Sequence, residues 1–406
     1  MGGDQRGVIK YLRHIPKARP MVGLLCALMT VITACQTTDE ARPEILEDGA
    51  VRLYIPQLDV WKVRLTGETM GTTWSATYLD EEGRSFMGLV DSVLEKVNAQ
   101  FSTWDHNSAI SQFNAGNGLS LDPNSWEADW WQSLLEVCDS VYVASGGRFD
   151  PTVAPLVELW GFFRENPFTM KVPPAYEEIL AVLPMVGFNQ LRWDFTALPD
   201  SLRLIASTKA KLDFSAVAKG QAVDLIAFEL KRALAVVELD SIQIGSVWLP
   251  VESRDLEAVR CLVEVGGEVV AQGMSETGEA WKIALEKPVV GRRELQEVVY
   301  LDGAAMATSG NYRRFWVYEG RSYGHTLNPE TGQPEITDLL SASVITNSCA
   351  YADAYATAFM VMGTMPALQL AESIDGLEAH LITLDPDTEE LISVQTSGFS
   401  QYLKSE

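Results

Sequence analysis

Asp353 and Thr357 stand four residues apart in a segment, Cys349 to Met362, that is otherwise almost entirely apolar. On a helix this spacing places both on one side, one turn apart. A carboxylate there is costly to bury unless it is paired or sits on a metal. Asp plus Thr is a hard-oxygen set, suited to Mg²⁺ or Ca²⁺ rather than zinc. A second candidate is Ala218-Lys219-Gly220, where small residues lead into a helix. A helix N-terminus offers free amides and a positive dipole to a phosphate without requiring basic side chains. Together these features admit metal-assisted phosphate chemistry. The alternative is that Asp353 and Thr357 fill a polar spot in helix packing and the small residues form an ordinary turn.

The elements that must position these residues follow from spacing. Val90, Val93, Leu94, Val97 and Phe101 make one helical stripe. Trp126, Trp130, Leu134, Val137 and Val141 make a second, and Val223, Ile226, Ala227, Leu230 and Leu234 a third. Cys349 to Met362, apolar nearly all round, reads as a buried helix. Strand-like runs lie at Trp74–Leu79, Leu202–Ser207, Cys261–Val270, Trp281–Glu286 and Ala342–Thr346. Helices and strands alternate irregularly, with hairpin-like segments between them. The fold class expected is α+β, with mixed, largely antiparallel sheets and packed helices.

Composition narrows the function classes. The 406 residues carry a formal charge of −24, so phosphate repulsion argues against a nucleic-acid partner. Residues 1–34 reverse that sign, with five basic residues against Asp4, and run into an uncharged apolar stretch, Met21 to Ala34. Basic then short apolar is the pattern of an export signal. It ends Ile32-Thr33-Ala34-Cys35, which resembles a bacterial lipobox with Cys35 as the lipidated residue. The bland alternative is an ordinary signal peptide ending near a cysteine. The expected organisation is a signal over 1–34, lipidated Cys35 and an acidic tether over 35–57, and one domain over 58–406. Cys138, Cys261 and Cys349 lack the spacing of a metal site or a disulfide framework, and read as small buried apolar residues. With only His106, His325 and His380 beyond the signal, a His/Cys zinc site is disfavoured.

No P-loop or dinucleotide fingerprint is present. What is present is an ordered series: GETMGT at 67–72, FSTWDHNSAISQFN at 101–114 and GGRFDPTVAPLVELWGF at 146–162. LDFSAVAKGQAVD at 212–224, GGE at 266–268 and WKIALEKP at 281–288 follow. The series closes with ATSGNYRRF at 307–315, HTLNPETGQP at 325–334 and ADAYATAFMVMG at 352–363. It resembles the ApbE-like family of FAD:protein FMN transferases, from about Trp61 to about Gly363. The resemblance implies binding of FAD, Mg²⁺-dependent cleavage of its pyrophosphate, and transfer of FMN to a Thr or Ser hydroxyl of an acceptor protein with release of AMP. The implied acceptors are flavoprotein subunits of membrane electron-transport complexes, the Na⁺-translocating NADH:quinone reductase and Rnf-type complexes. The implied location is the periplasmic side of a membrane, held by Cys35, with the inner membrane favoured and the outer open.

Carried over by motif, the resemblance puts Asp353, Thr357 and the carbonyl of Ala218 at the metal. Met70 falls against the flavin ring. Asp213, Lys219, Thr308, Ser309 and Gly310 fall in FAD-binding segments. His325 is either the base for the acceptor hydroxyl or a hydrogen-bond partner of FAD. Three departures stand out: Asn328 where the motif usually has Asp, Glu268 where Asp or Asn follows the Gly pair, and Trp104 where Tyr is usual. The stretch Asp240–Arg260 is longer than the family's turn, as an added hairpin or an acceptor-docking element. Two other functions compete, an FAD pyrophosphatase giving FMN and AMP, and a non-enzymatic FAD-binding lipoprotein.

Overall fold

A computed structural model describes residues 42–162, 172–194, 202–206, 210–235, 237–244, 247–254, 258–289, 293–311, 315–319, 321–335, 337–385, 388 and 390–404. The signal and Cys35 lie outside the described residues. Among the described residues no helix is long and apolar enough to cross a membrane.

The frame is a ten-stranded sheet. Its strands are β1 (Glu44–Ile45), β2 (Val51–Ile55), β3 (Val60–Thr69), β4 (Thr72–Asp80), β5 (Cys261–Val265), β6 (Glu268–Gln272), β7 (Ala304–Gly310), β8 (Leu339–Thr346), β9 (Glu378–Leu384) and β10 (Leu391–Gln395). Each pairs antiparallel with the one before it in the chain, so sequence order is spatial order. The α+β, antiparallel expectation holds. Antiparallel strands alternate their faces, and β5 shows this directly, with Cys261, Val263 and Val265 buried and the residues between them half-buried. Among the described residues, the other elements lie in the chain between these strands, apart from a short helical turn, Phe399–Tyr402, after β10.

Five helices cover the sheet and bear on the site: α1 (Met87–Phe101), α2 (Trp126–Ala144), α3 (Ala218–Leu234), α4 (Cys349–Met362) and α5 (Thr364–Glu372). The stripes expected for α1 and α3 are buried residue for residue. In α2 the inward face is rotated. Trp131, Leu134, Leu135, Val137, Cys138 and Val141 are buried, whereas Trp126 is exposed and Trp130 half-buried. With tryptophan at 126, 130 and 131, spacing alone left the register of this stripe ambiguous. Trp131 takes the inner place, where its indole N–H donates to Gln100 at 3.0 Å and its ring meets Phe101 and Phe214. Helix α4 lies across β7 and β8 and against α3. All but Tyr351, Thr357 and Met362 of its residues are buried.

Three further expectations change. The body does not begin at 58: β1 and β2 belong to the sheet, Ala50 is fully buried, and Arg52 lies over Trp61 at 4.3 Å. Polar composition hid these strands because they lie at the edge of the sheet, where most of their side chains remain partly in water. The run Cys261–Val270 is two strands, β5 and β6, folded back at Gly266 and Gly267, both at positive φ. The segment Ala307 to Gly310, which TSG would suggest is a loop, completes strand β7. The longer stretch near 240–260 contains an antiparallel pair, Val237–Ile244 with Val247–Arg254. Cys138, Cys261 and Cys349 are free and buried, as expected.

Candidate active site

Register brings the motif residues to one end of the sheet. The β3–β4 turn carries Met70 and Gly71, at φ 50° and 71°, the pair of left-handed residues that a tight hairpin of native twist requires. A methionine in that conformation is strained by about 1–3 kcal/mol, and its half-buried side chain packs against the main core. Trp74 pairs with Val265, and Val265 with Glu268, so the Gly266–Gly267 turn lies beside that of Met70 and Gly71. Val269 pairs with Met306, which sets Glu268 level with the end of β7 holding Thr308, Ser309 and Gly310. Thr308 and Ser343 hydroxyls meet across β7 and β8 at 2.8 Å.

The helices complete the site through one close crossing. A Cβ on Gly220 would come within 2.8 Å of the Ala350 Cα, so only glycine lets the start of α3 lie on the start of α4. Asp224, one turn further along α3, accepts hydrogen bonds from Ser348 Oγ at 2.8 Å and from the Cys349 and Ala350 amides at 2.8 and 3.0 Å. It caps α4 from outside that helix and locks the crossing, at the cost of burial, which raises its carboxyl above the ordinary value.

With the helices so placed, Asp353 Oδ2 accepts from the Gly220 amide at 3.2 Å and faces Lys219 Nζ at 3.4 Å. Lys219 Nζ lies 2.6 Å from Glu268 Oε1. Burial by itself would lower the Lys219 pKa, but the facing Asp353 and Glu268 carboxylates outweigh it and hold the ammonium charged. Burial pushes the Glu268 carboxyl up to about 7, with Lys219 opposing and Asp353 adding to the rise. One turn on from Asp353, Thr357 is half-open and its hydroxyl lies 3.2 Å from Ser309 Oγ.

The structure thus brings together Ala218, Lys219, Asp353, Thr357 and Ser309, whereas Thr308, next in β7, turns to the opposite face of the sheet, where its hydroxyl meets Ser343, and Gly310 ends the strand. Asp213 is in the turn before α3. Its carboxylate accepts from the Ser215 amide at 2.9 Å and Ser215 Oγ at 2.5 Å, and desolvation raises its pKa. His325 is exposed on a loop tied to the residue after β7 by Thr326 Oγ1 donating to Asn311 Oδ1 at 2.8 Å. Among the described residues no three His, Cys, Asp or Glu side chains gather as a metal site. A metal here must therefore rest on mixed oxygen donors. A buried carboxylate, an adjacent hydroxyl and a helix start with one amide on that carboxylate fit a hard divalent cation.

Several motif residues are clamps, a role that their spacing in the sequence does not signal. Asn114, from the SQFN segment, donates to the Leu212 carbonyl at 2.8 Å and accepts from the Leu212 amide at 2.7 Å, pinning the extended segment next to Asp213. Asp150 accepts from the Thr152 amide and hydroxyl and the Phe188 amide, and Thr152 Oγ1 accepts from Gly187. Asp224 and Glu268 were visible as polar residues in otherwise small or apolar contexts. Only their partners, distant in sequence, define what they do.

Fold and site define an antiparallel α+β protein with an oxygen-donor cluster where two helices cross the end of its sheet. The ApbE family model matches residues 70–244 and 253–381, and the chain belongs to that family. It is similar to the FAD:protein FMN transferase of Vibrio cholerae serotype O1, 32% identical over 348 residues, covering 84% of this chain and 93% of the relative. It is 30% identical to that of Haemophilus influenzae over 339 residues, 82% and 90% of the two chains. The solved flavin transferase ApbE from Vibrio cholerae superposes with a TM-score of 0.67 at 29% identity, covering 85% of this chain and 100% of that one.

Proposed function

We propose that the protein is a Mg²⁺-dependent FAD:protein FMN transferase that modifies a Thr or Ser hydroxyl of an acceptor protein and releases AMP. One observation carries the reading: the Gly220 crossing sets a buried carboxylate, Asp353, against the start of α3 and one turn from Thr357, whose hydroxyl meets Ser309. The similarity to the transferases of Vibrio cholerae and Haemophilus influenzae supports it.

In the proposed reaction the acceptor oxygen attacks the FMN-side phosphorus of FAD, a new phosphoester forms, the pyrophosphate P–O bond breaks, and AMP leaves. Asp353, the Thr357 hydroxyl and the Ala218 carbonyl would hold the metal ion, which offsets negative charge on the pyrophosphate and on departing AMP. Met70 in its turn would bear on the flavin ring, and the segment Thr308–Gly310 would hold FAD, with the Ser309 hydroxyl beside the metal ligand Thr357. Exposed His325 takes the hydroxyl proton as it leaves the attacking oxygen. A large protein acceptor can reach a base only at the surface, and His325 satisfies that requirement.

The acceptors proposed are flavoprotein subunits of Na⁺-translocating NADH:quinone reductase or Rnf-type complexes, with the enzyme anchored through lipidated Cys35 on the periplasmic side, on the inner membrane in preference to the outer. The test is mass spectrometry of such a subunit after incubation with this protein, FAD and Mg²⁺. One added FMN on a Thr or Ser, with AMP released, is the expected result. AMP release with no labelled acceptor would replace transferase with pyrophosphatase, and neither product would leave an FAD-binding protein. Separately, Cys35→Ser should release the protein from the membrane fraction, and a variant that still takes up labelled lipid would exclude the anchor.

A further inference from the structure

The ammonium of Lys219 stands between two buried carboxylates and is shared unequally. It lies 2.6 Å from Glu268 and 3.4 Å from Asp353, whose side chains are 5% and 4% exposed. The short contact is an ion-paired hydrogen bond and the long one is mainly electrostatic. Glu268 keeps its second oxygen, Oε2, buried without a hydrogen-bond partner. A lone pair left idle in a closed site is costly, and it belongs to the carboxylate whose other oxygen already holds the ammonium.

Asp353 cannot stay buried and charged without a cation nearby. We propose that Lys219 is the resident counter-cation of the metal-free site, competing with a divalent ion for Asp353, and that Glu268 is the carboxylate that takes the ammonium when the ion enters. This inference rests on the metal reading given above. Ammonium and divalent ion repel each other, so the ion binds in proportion to how easily Lys219 gives up Asp353. Glu268 makes that easy because the stronger contact is already with it. Metal affinity is then set in opposite directions by two residues that do not ligate the metal.

The opposite signs give the test. Mg²⁺ is titrated calorimetrically into FAD-free protein, with the metal-dependent rise in melting temperature as a second readout. Lys219→Met should bind Mg²⁺ more tightly, and Glu268→Gln more weakly, each on the order of tenfold. A purely structural salt bridge predicts that both variants bind more weakly or neither changes. Should Lys219→Met fold poorly with two carboxylates facing each other, Lys219→Met/Glu268→Gln removes one charge of each sign and should still bind more tightly than Glu268→Gln alone. Wild-type binding that requires Asp353 but is indifferent to Lys219 overturns this inference and leaves the metal reading standing. Absence of any Asp353-dependent binding of Mg²⁺ or Mn²⁺ overturns the metal reading, and this inference with it.

Discussion

Asp353 supplies a full negative charge to the proposed metal set, whereas Thr357 supplies only a dipole. Asp353→Ala should therefore abolish FMN transfer at ordinary Mg²⁺ with the fold intact, because Lys219 retains Glu268 as its closer partner. Thr357→Val, close to isosteric, should lose on the order of tenfold to a hundredfold. Transfer rates across a Mg²⁺ titration, read beside melting temperatures, decide this. Asp353→Ala that melts far lower yet turns over normally when folded would make Asp353 a packing residue. Asn328 is a different case. Its Oδ1 accepts from the Glu330 amide at 2.9 Å, which an aspartate could also do, but its Nδ2 donates to Glu335 Oε2 at 2.6 Å. Aspartate would oppose two carboxylates in a site where residue 328 is 6% exposed. Asn328→Asp should cost about 1–3 kcal/mol of stability, and Asn328→Asp/Glu335→Gln should recover most of it in thermal denaturation. The amide is thus matched to Glu335, a pairing the HTLNPETGQP motif could not reveal because the usual pattern specifies position 328 and not its partner.

At the scale of elements, the site exists because α3 and α4 touch backbone to backbone. Gly220→Ala must push them apart, for the added methyl meets the Cys349 carbonyl and the Ala350 Cα rather than a movable side chain. Overpacking of this kind costs typically about 1–3 kcal/mol, and here the displaced parts include the start of α3 and Asp353. The expected outcome is a lowered melting temperature together with Mg²⁺ affinity reduced more than in Ala222→Gly, a control one turn inside α3. Equal affinities in the two variants would mean that the crossing does not set the site. Periodicity made α1 and α3 readable in advance, since a long apolar stripe admits one register, and α4 was readable because it is apolar nearly all round. The α2 stripe was misplaced because adjacent tryptophans satisfy two registers and only the pocket beside Phe101 and Phe214 selects Trp131.

For the whole molecule, two boundaries and one titration are open to measurement. A chain starting at Arg42 should melt like the full-length protein, whereas one starting at Leu58 loses β1, β2 and buried Ala50 and should melt several degrees lower. Equal melting temperatures would return residues 42–57 to the role of a tether. His380, on β9, is 4% exposed with its ring 5.3 Å from Phe399 and its Nδ1 without a partner. Burial lowers its pKa below the ordinary 6.5, with Glu297 opposing weakly. The unfolded chain therefore binds this proton at a higher pH than the folded one. Stability from neutral His380 is complete above pH 6.5 and declines as pH falls below it. His380→Leu should lose less melting temperature than wild type between pH 7.5 and 5.5, and identical slopes would dismiss His380 as an acid-sensitive point.

The sequence alone determined the α+β class, the four helices α1 to α4, the buried thiols and the pairing of Asp353 with Thr357 one turn apart. Each of these rests on local periodicity or composition, which burial enforces within a single element. Tertiary structure decided the rest. It made β1 and β2 part of the sheet, because an edge strand wet on one side carries little apolar signature. It turned Asn114, Asp150 and Asp224 into clamps, because a hydrogen bond between residues far apart in the chain leaves no spacing to read. It also put Lys219 between Asp353 and Glu268, residues 134 and 49 positions away. Charge interacts through space, and only the register of β6 with β7 and the contact at Gly220 set that space.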